Sequence, residues 1–120
     1  MSEIERRQTN PRMSKIVCHD GLVYLCGQTA FGSVSGTGDI AGQTAETLSR
    51  VDALLAEAGT DRTRILSATI HLRNIEDFSA MNAVWESWLE SGTAPARTTV
   101  EARLASPELL FEVTIVAALK

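Results

Sequence analysis

Two ionisable side chains sit inside runs that otherwise read as β-strands. Arg97 follows Ala-Pro-Ala in "GTAPARTTVEARL" and leads directly into Thr-Thr-Val, and Glu112 lies in "LLFEVTIVAAL", the most hydrophobic run of the chain. A guanidinium offers a planar fork of donors that matches a carboxylate bidentately, whereas a lysine fixes such a ligand less well. A carboxylate on the other side of a bound molecule can hold or deprotonate a water aimed at it. Charged groups placed in such strands must be paired or must serve a ligand. They could equally form an interfacial ion pair with no ligand, and residue types alone leave both readings open.

The other reactive residues offer less. Cys18 and Cys26 are eight residues apart, without CxxC spacing, and are expected as reduced thiols. His19 and His71 lack any metal-ligand spacing and read as a turn residue and a polar strand-face residue. The loop "GSVSGTGD" has neither Gly-Lys-Ser/Thr nor GxGxxG, so it reads as a mobile loop beside a cleft rather than a phosphate cradle. Trp85 and Trp88, three apart on a helix, read as packing residues, and Asn82 as a structural residue bonded to a loop. No metal or cofactor is expected.

Elements must position the two charges. "SKIVCHDGLVYLCG" holds two short apolar runs around His-Asp-Gly, a hairpin signal, and this hairpin is expected to open the domain. Asp39 is placed to cap a helix in which Ile40, Thr44, Leu48, Val51, Leu54 and Leu55 recur at three- and four-residue spacing, with Gly59 as its stop. "ILSATIHL" alternates as a strand covered on one face. "NIEDFSAMNAVWESWLESG" returns to helical spacing through Phe78, Met81, Val84, Trp85, Trp88 and Leu89, with Asn74 as N-cap and Asp77 at the capping-box position. "ARTTVEARL" and "LLFEVTIVAAL" complete the order ββαβαββ, an α+β sandwich with a mixed sheet on one side and two helices on the other.

Strand alternation puts Arg97, Thr99, Glu101 and Arg103 on one face and Thr98, Val100 and Ala102 on the other. If the apolar set meets the helices, Arg97 and Thr99 point away from them. Glu112 shares its row with Leu110, Thr114 and Val116, opposite Phe111, Val113, Ile115 and Ala117. Two helices cover only one face of a sheet, so the other is expected to pack against a neighbouring copy in a homo-oligomer, with Arg97 and Glu112 at the interface.

The 120 residues suffice for one domain, 1–120, with a single core. Eleven Lys+Arg against fifteen Asp+Glu give a formal charge of −4, and with few aromatics this argues against nucleic-acid or anionic-membrane partners. The polar N-terminus and the lack of any run near ~18 apolar residues point to a cytoplasmic protein.

"CGQTA", "GDIAGQTAETL", "DFSAMNAVWESW", "APARTTVEARL" and "FEVTIVAA", in this order, resemble the RidA/YjgF family over about Val17 to Ala118. The resemblance implies a chorismate-mutase-like fold assembled as a homotrimer with clefts between subunits. It also implies cofactor-free hydrolysis of reactive enamines and imines, such as 2-aminoacrylate, to 2-keto acids and ammonia. The family's carboxylate-binding arginine falls on Arg97 and its water-positioning glutamate on Glu112, with Cys26, Gly27 and Thr99 completing the substrate contacts. Cys26 stands where those deaminases carry serine, Thr99 where they often carry cysteine, and Met13 where they carry tyrosine. Thr99 can still donate a hydroxyl hydrogen bond and Cys26 a weak one; Met13 cannot replace a phenol. The alternative is a non-catalytic trimer that binds a small carboxylate for regulation or protection.

Overall fold

Asp20 and Gly21 both adopt positive φ, 49° and 79°, and close a tight two-residue turn between strands β2 (Ser14–His19) and β3 (Leu22–Leu25). This is the hairpin expected from His-Asp-Gly. It does not open the domain, however: in the computed structural model, which describes residues 3–120, strand β1 (Glu5–Thr9) precedes it and pairs antiparallel with β2. The sequence "ERRQT" hides this strand because it lies at the sheet edge and is exposed at four of its five positions, so no apolar alternation marks it. Charge on an edge strand also discourages pairing with another chain.

Helix α1 (Ile40–Ala58) begins where Asp39 Oδ1 accepts the Gly42 amide at 2.8 Å and ends at Gly59, whose φ of 90° suits glycine. Its predicted apolar stripe is buried throughout. Strand β4 (Ile65–Leu72) buries Ala68, Ile70 and Leu72 as expected. Asn74 accepts the Glu76 amide and so caps a short 3₁₀ turn, 75–77, rather than the helix itself. Helix α2 (Phe78–Trp88) follows, and Asp77 makes no side-chain cap bond, so the expected capping box does not form. Strands β5 (Ala96–Glu101) and β6 (Phe111–Ala118) complete one six-stranded sheet in the order β1-β2-β3-β6-β4-β5. Only β4 and β5 run parallel, and α2 makes the crossover between them.

The architecture is therefore α+β, with both helices on one face of a mixed sheet. Their buried residues interlock with Ile16, Val23, Ile70, Phe111, Val113 and Ile115 in a single core. Trp85 and Trp88 serve packing: their ring centroids lie 5.5 Å apart, and Trp88 Nε1 donates to Asp52 of α1 while Arg62 covers its ring. The opposite sheet face carries exposed Tyr24 and Val100. Among the described residues no helix is long and apolar enough to cross a membrane.

Candidate functional site

The register of β5 decides where Arg97 points, and it overturns the expected face. Arg97 pairs with Ala68 and Thr99 with Ile70, both buried on the helix side of β4. Arg97 and Thr99 therefore face the helix layer, while Val100, paired with His71, is 41% exposed on the open face. Apolar content misassigned the faces because β5 is an edge strand beside α2, where aromatic rings rather than aliphatic packing receive its inward side chains. The Arg97 guanidinium carbon lies 5.6 Å from the ring centroids of both Phe78 and Trp85. Such a seat favours a cation.

Beyond these two rings, nothing among the described residues engages this guanidinium closely. Among the described residues no carboxylate or carbonyl takes a hydrogen bond from it; burial lowers its pKa from the usual arginine value, and the charge of Glu86 opposes that fall. It borders an open cleft of about 280 Å³ walled by Asn82, Trp85 and Glu86 of α2 and by Ala94 and Pro95. Asn82 Oδ1 and Thr99 Oγ1, one on this wall and one on the same strand face, are buried without a hydrogen-bond partner. Asn82, read from sequence as structural and loop-bonded, is instead an unsatisfied wall of the Arg97 cleft. Its helical position, one turn before Glu86, was the available signal.

Glu112 lies elsewhere. It pairs with His71 across β6 and β4 and points to the helix-free face, as alternation with buried Phe111 and Val113 predicts. It borders a second cleft, of about 560 Å³, with Gly27, Thr29, Met13, Phe31 and Leu109. An Arg97–Glu112 ion pair within one chain is therefore not formed. Gly27 reaches the carboxylate because Gln28 bridges Val113 through paired backbone bonds of 2.9 and 3.0 Å. A Cβ on Gly27 would stand 2.5 Å from Glu112 Oε2, so only glycine allows this approach.

Two side chains, the buried Gln43 and the half-buried Arg73, hold the segment that walls this second cleft. Gln43 of α1 donates to the carbonyls of Gly36, Gly38 and Glu108 and accepts the Leu110 amide at 2.8 Å. Arg73 donates to the carbonyls of Leu109 and Ser106, each at 2.7 Å. Both residues looked unremarkable in the sequence because their partners are backbone atoms.

Cys26 adjoins Gly27, and its sulfur accepts from Gln28 Nε2 at 3.3 Å. Burial pushes its thiol up, Lys15 pulls it down, and the Glu112 charge adds to the rise. Met13 lines the Glu112 cleft and is 46% exposed. The structure thus gathers Glu112, Gly27 and Met13 in one cleft, with Cys26 next to it, and Arg97 and Thr99 on the other face.

Residues 4–119 match the family model described as endoribonuclease L-PSP. The chain is 39% identical over 115 residues to the RutC family protein YoaB of Escherichia coli, covering 96% of this chain and 97% of that one. It is 37% identical to a RutC family protein of Haemophilus ducreyi, covering 97% of each. A crystal structure of a YjgF-family protein from Neisseria meningitidis superposes with a TM-score of 0.92 at 40% identity, covering 98% of this chain and 96% of the other. A Rid-family protein from Yersinia pestis, of unknown function, superposes at 0.85 and 29% identity over 92% of this chain and 90% of its own. The fold, the extent of the match and these identities place the chain in the RidA/YjgF/RutC family.

Proposed function

We propose that this protein hydrolyses reactive 2-imino and enamine acids to 2-keto acids and ammonia without a cofactor, in a cleft shared by two subunits of a homotrimer. One subunit contributes Arg97, and its neighbour contributes Glu112. The observation that carries the reading is Arg97 itself, a cation seated over two rings with no hydrogen-bond acceptor among the described residues. Its donors are free for a carboxylate, and that pairing is charge-assisted and geometrically specific. A net charge of −4 favours a small anion over a nucleic-acid backbone as its ligand.

The chemistry follows from the groups available. Arg97 holds the substrate carboxylate bidentately, which fixes the adjacent imine carbon. Thr99 can donate its hydroxyl to the same carboxylate, and Asn82 Oδ1 can accept an N–H from the substrate nitrogen. Glu112 accepts a proton from water as the C–O bond forms, and the C=N π pair moves onto nitrogen, which takes a proton from solvent that the hydroxyl group later gives back. The resulting carbinolamine collapses: the C–N bond breaks, the hydroxyl proton is lost, and ammonia leaves with the proton that Glu112 returns. Water in and ammonia out balance the reaction. Imine hydrolysis is already fast in water, so positioning suffices.

The test is to generate 2-imino acids in situ with an amino-acid oxidase and follow their decay with wild type, Arg97→Ala and Glu112→Ala. Wild type should accelerate decay, and both variants should lose the acceleration. Equal decay with and without wild-type protein sinks the deaminase reading for those substrates. A carboxylate that wild type binds at Arg97 without any acceleration would assign the chain to the non-catalytic carboxylate-binding class instead.

A further inference from the structure

Glu112 and His71 are direct cross-strand partners on the helix-free face, and His71 Nδ1 lies 3.9 Å from Glu112 Oε1. That nitrogen is buried and has no hydrogen-bond partner. The other carboxylate oxygen, Oε2, is packed against the Gly27 backbone. We propose that His71 is a positioning residue for Glu112: it carries its proton on Nδ1 and donates it to Oε1, so that Gly27 and His71 grip the carboxylate from its two sides. This rests on the deaminase reading only for its consequence in turnover; the pair itself stands on geometry.

The tautomer follows from the partner. An ionised carboxylate only accepts hydrogen bonds, so a buried ring nitrogen facing it must carry the hydrogen. A nitrogen lone pair turned toward that oxygen would instead be repelled and unsatisfied, which is costly in a buried position. Across a directly opposed strand pair, 3.9 Å is within one side-chain adjustment of hydrogen-bond length, and catalytic contacts often tighten only when substrate is present. The aliphatic and hydroxyl neighbours of His71 on its sheet face, Val100 of the adjoining β5 and Thr69 of β4 itself, offer Nδ1 no competing charge. With Nδ1 committed to Glu112, Nε2 is left as a lone pair, and the ring as a whole limits how far the carboxylate can swing.

The experiment has two arms on the intact protein. The first records ¹⁵N spectra of the imidazole in wild type and Glu112→Ala at neutral pH. Wild type should show His71 as the Nδ1–H tautomer, and Glu112→Ala should return it to the Nε2–H form that free imidazoles favour. An Nε2–H ring in wild type, or a tautomer unchanged by Glu112→Ala, overturns the proposal whether or not the protein deaminates anything. The second arm measures imine turnover in His71→Phe and His71→Asn, whose amide nitrogen falls close to the Nδ1 position. Phenylalanine should lower kcat about tenfold or more with KM within about twofold, and asparagine should restore most of kcat, as expected for positioning rather than binding. A fully active His71→Phe enzyme overturns the role of His71 while leaving deamination intact; absent turnover in wild type defeats deamination, and the tautomer then decides the pair alone.

Discussion

Arg97 faces the helix layer and Glu112 faces away from it, so the proposed reaction requires one group from each of two subunits. This can be tested by complementation. Under that proposal Arg97→Ala removes the clamp and Glu112→Ala removes the base, and each leaves every site of its own homotrimer defective. Loss of a bidentate carboxylate partner costs about 3–4 kcal/mol, roughly 10²–10³-fold in turnover. In a mixed closed ring, each site takes Arg97 from one subunit and Glu112 from the next. A site is intact when the first subunit is the Glu112→Ala chain and the second is the Arg97→Ala chain. With equal amounts mixed at random, about a quarter of all sites recover, and each mixed three-subunit ring, the only kind that carries both tags, holds about one intact site in three. The assay is imine decay after co-expression of the two variants with different affinity tags, followed by tandem purification, with each variant alone as background. Activity near one third of wild type, the recovery expected of mixed rings, would stand far above either parent. Mixed oligomers no more active than the parents would refute the reasoning, because they would show that the two groups never meet across an interface. A monomer in light scattering would refute it sooner.

Three further outcomes follow from single contacts. Gly27→Ala should leave stability within about 1 kcal/mol yet cut turnover roughly 10- to 100-fold, since its Cβ meets Glu112 Oε2 and must displace the carboxylate; thermal melts beside kinetics check both. Gln43→Leu strands three carbonyls and an amide in a buried site, so it should cost about 3–5 kcal/mol and lower Tm on the order of 10–20 °C by calorimetry. Cys26, its thiol pushed up by burial, should be alkylated more slowly than the same residue in the urea-unfolded chain and faster as pH rises; mass spectrometry of iodoacetamide-treated protein reads this, and modification faster than in the unfolded chain would contradict it.

Much of the fold is legible because local chemistry and tertiary role agree. Asp39, Gly59, Asp20 and Gly21 act through their own backbone neighbours, and the stripe from Ile40 to Leu55 is buried where its spacing says it must be. β1 escapes notice because an exposed edge strand needs no apolar pattern. The face of Arg97 escapes for a different reason. In "ARTTVE" neither alternating set is clearly apolar, so the strand's orientation is decided by its parallel pairing with β4 and by the rings of Phe78 and Trp85, which come from another element. Glu112 is placed correctly because its neighbours Phe111 and Val113 leave no doubt about the inward face. Asn82, Gln43 and His71 owe their roles to partners about 15 to 70 positions away in the chain, or to a missing partner, and neither is visible in spacing.

Elsewhere in the chain buried polar groups are satisfied: Thr44 and Thr47 bond back to α1 carbonyls, Thr60 reaches Ala118, and Gln43 uses both ends of its amide. The three buried side-chain atoms left without partners among the described residues, Asn82 Oδ1, Thr99 Oγ1 and His71 Nδ1, all lie beside Arg97 or Glu112. An unpaired buried polar atom costs about 1–3 kcal/mol; under the proposed function a ligand meets Asn82 Oδ1 and Thr99 Oγ1, while Glu112 meets His71 Nδ1. Thr99→Val tests this directly, because it keeps the branched shape and removes only the hydroxyl. If that hydroxyl is kept for a ligand, the variant should be more stable than wild type by about 1 kcal/mol, a rise in Tm of roughly 4 °C, and should bind or turn over carboxylates less well. A variant that loses stability would show that Thr99 is satisfied within the folded chain, and the pairing of orphaned atoms with the two clefts would lose its meaning.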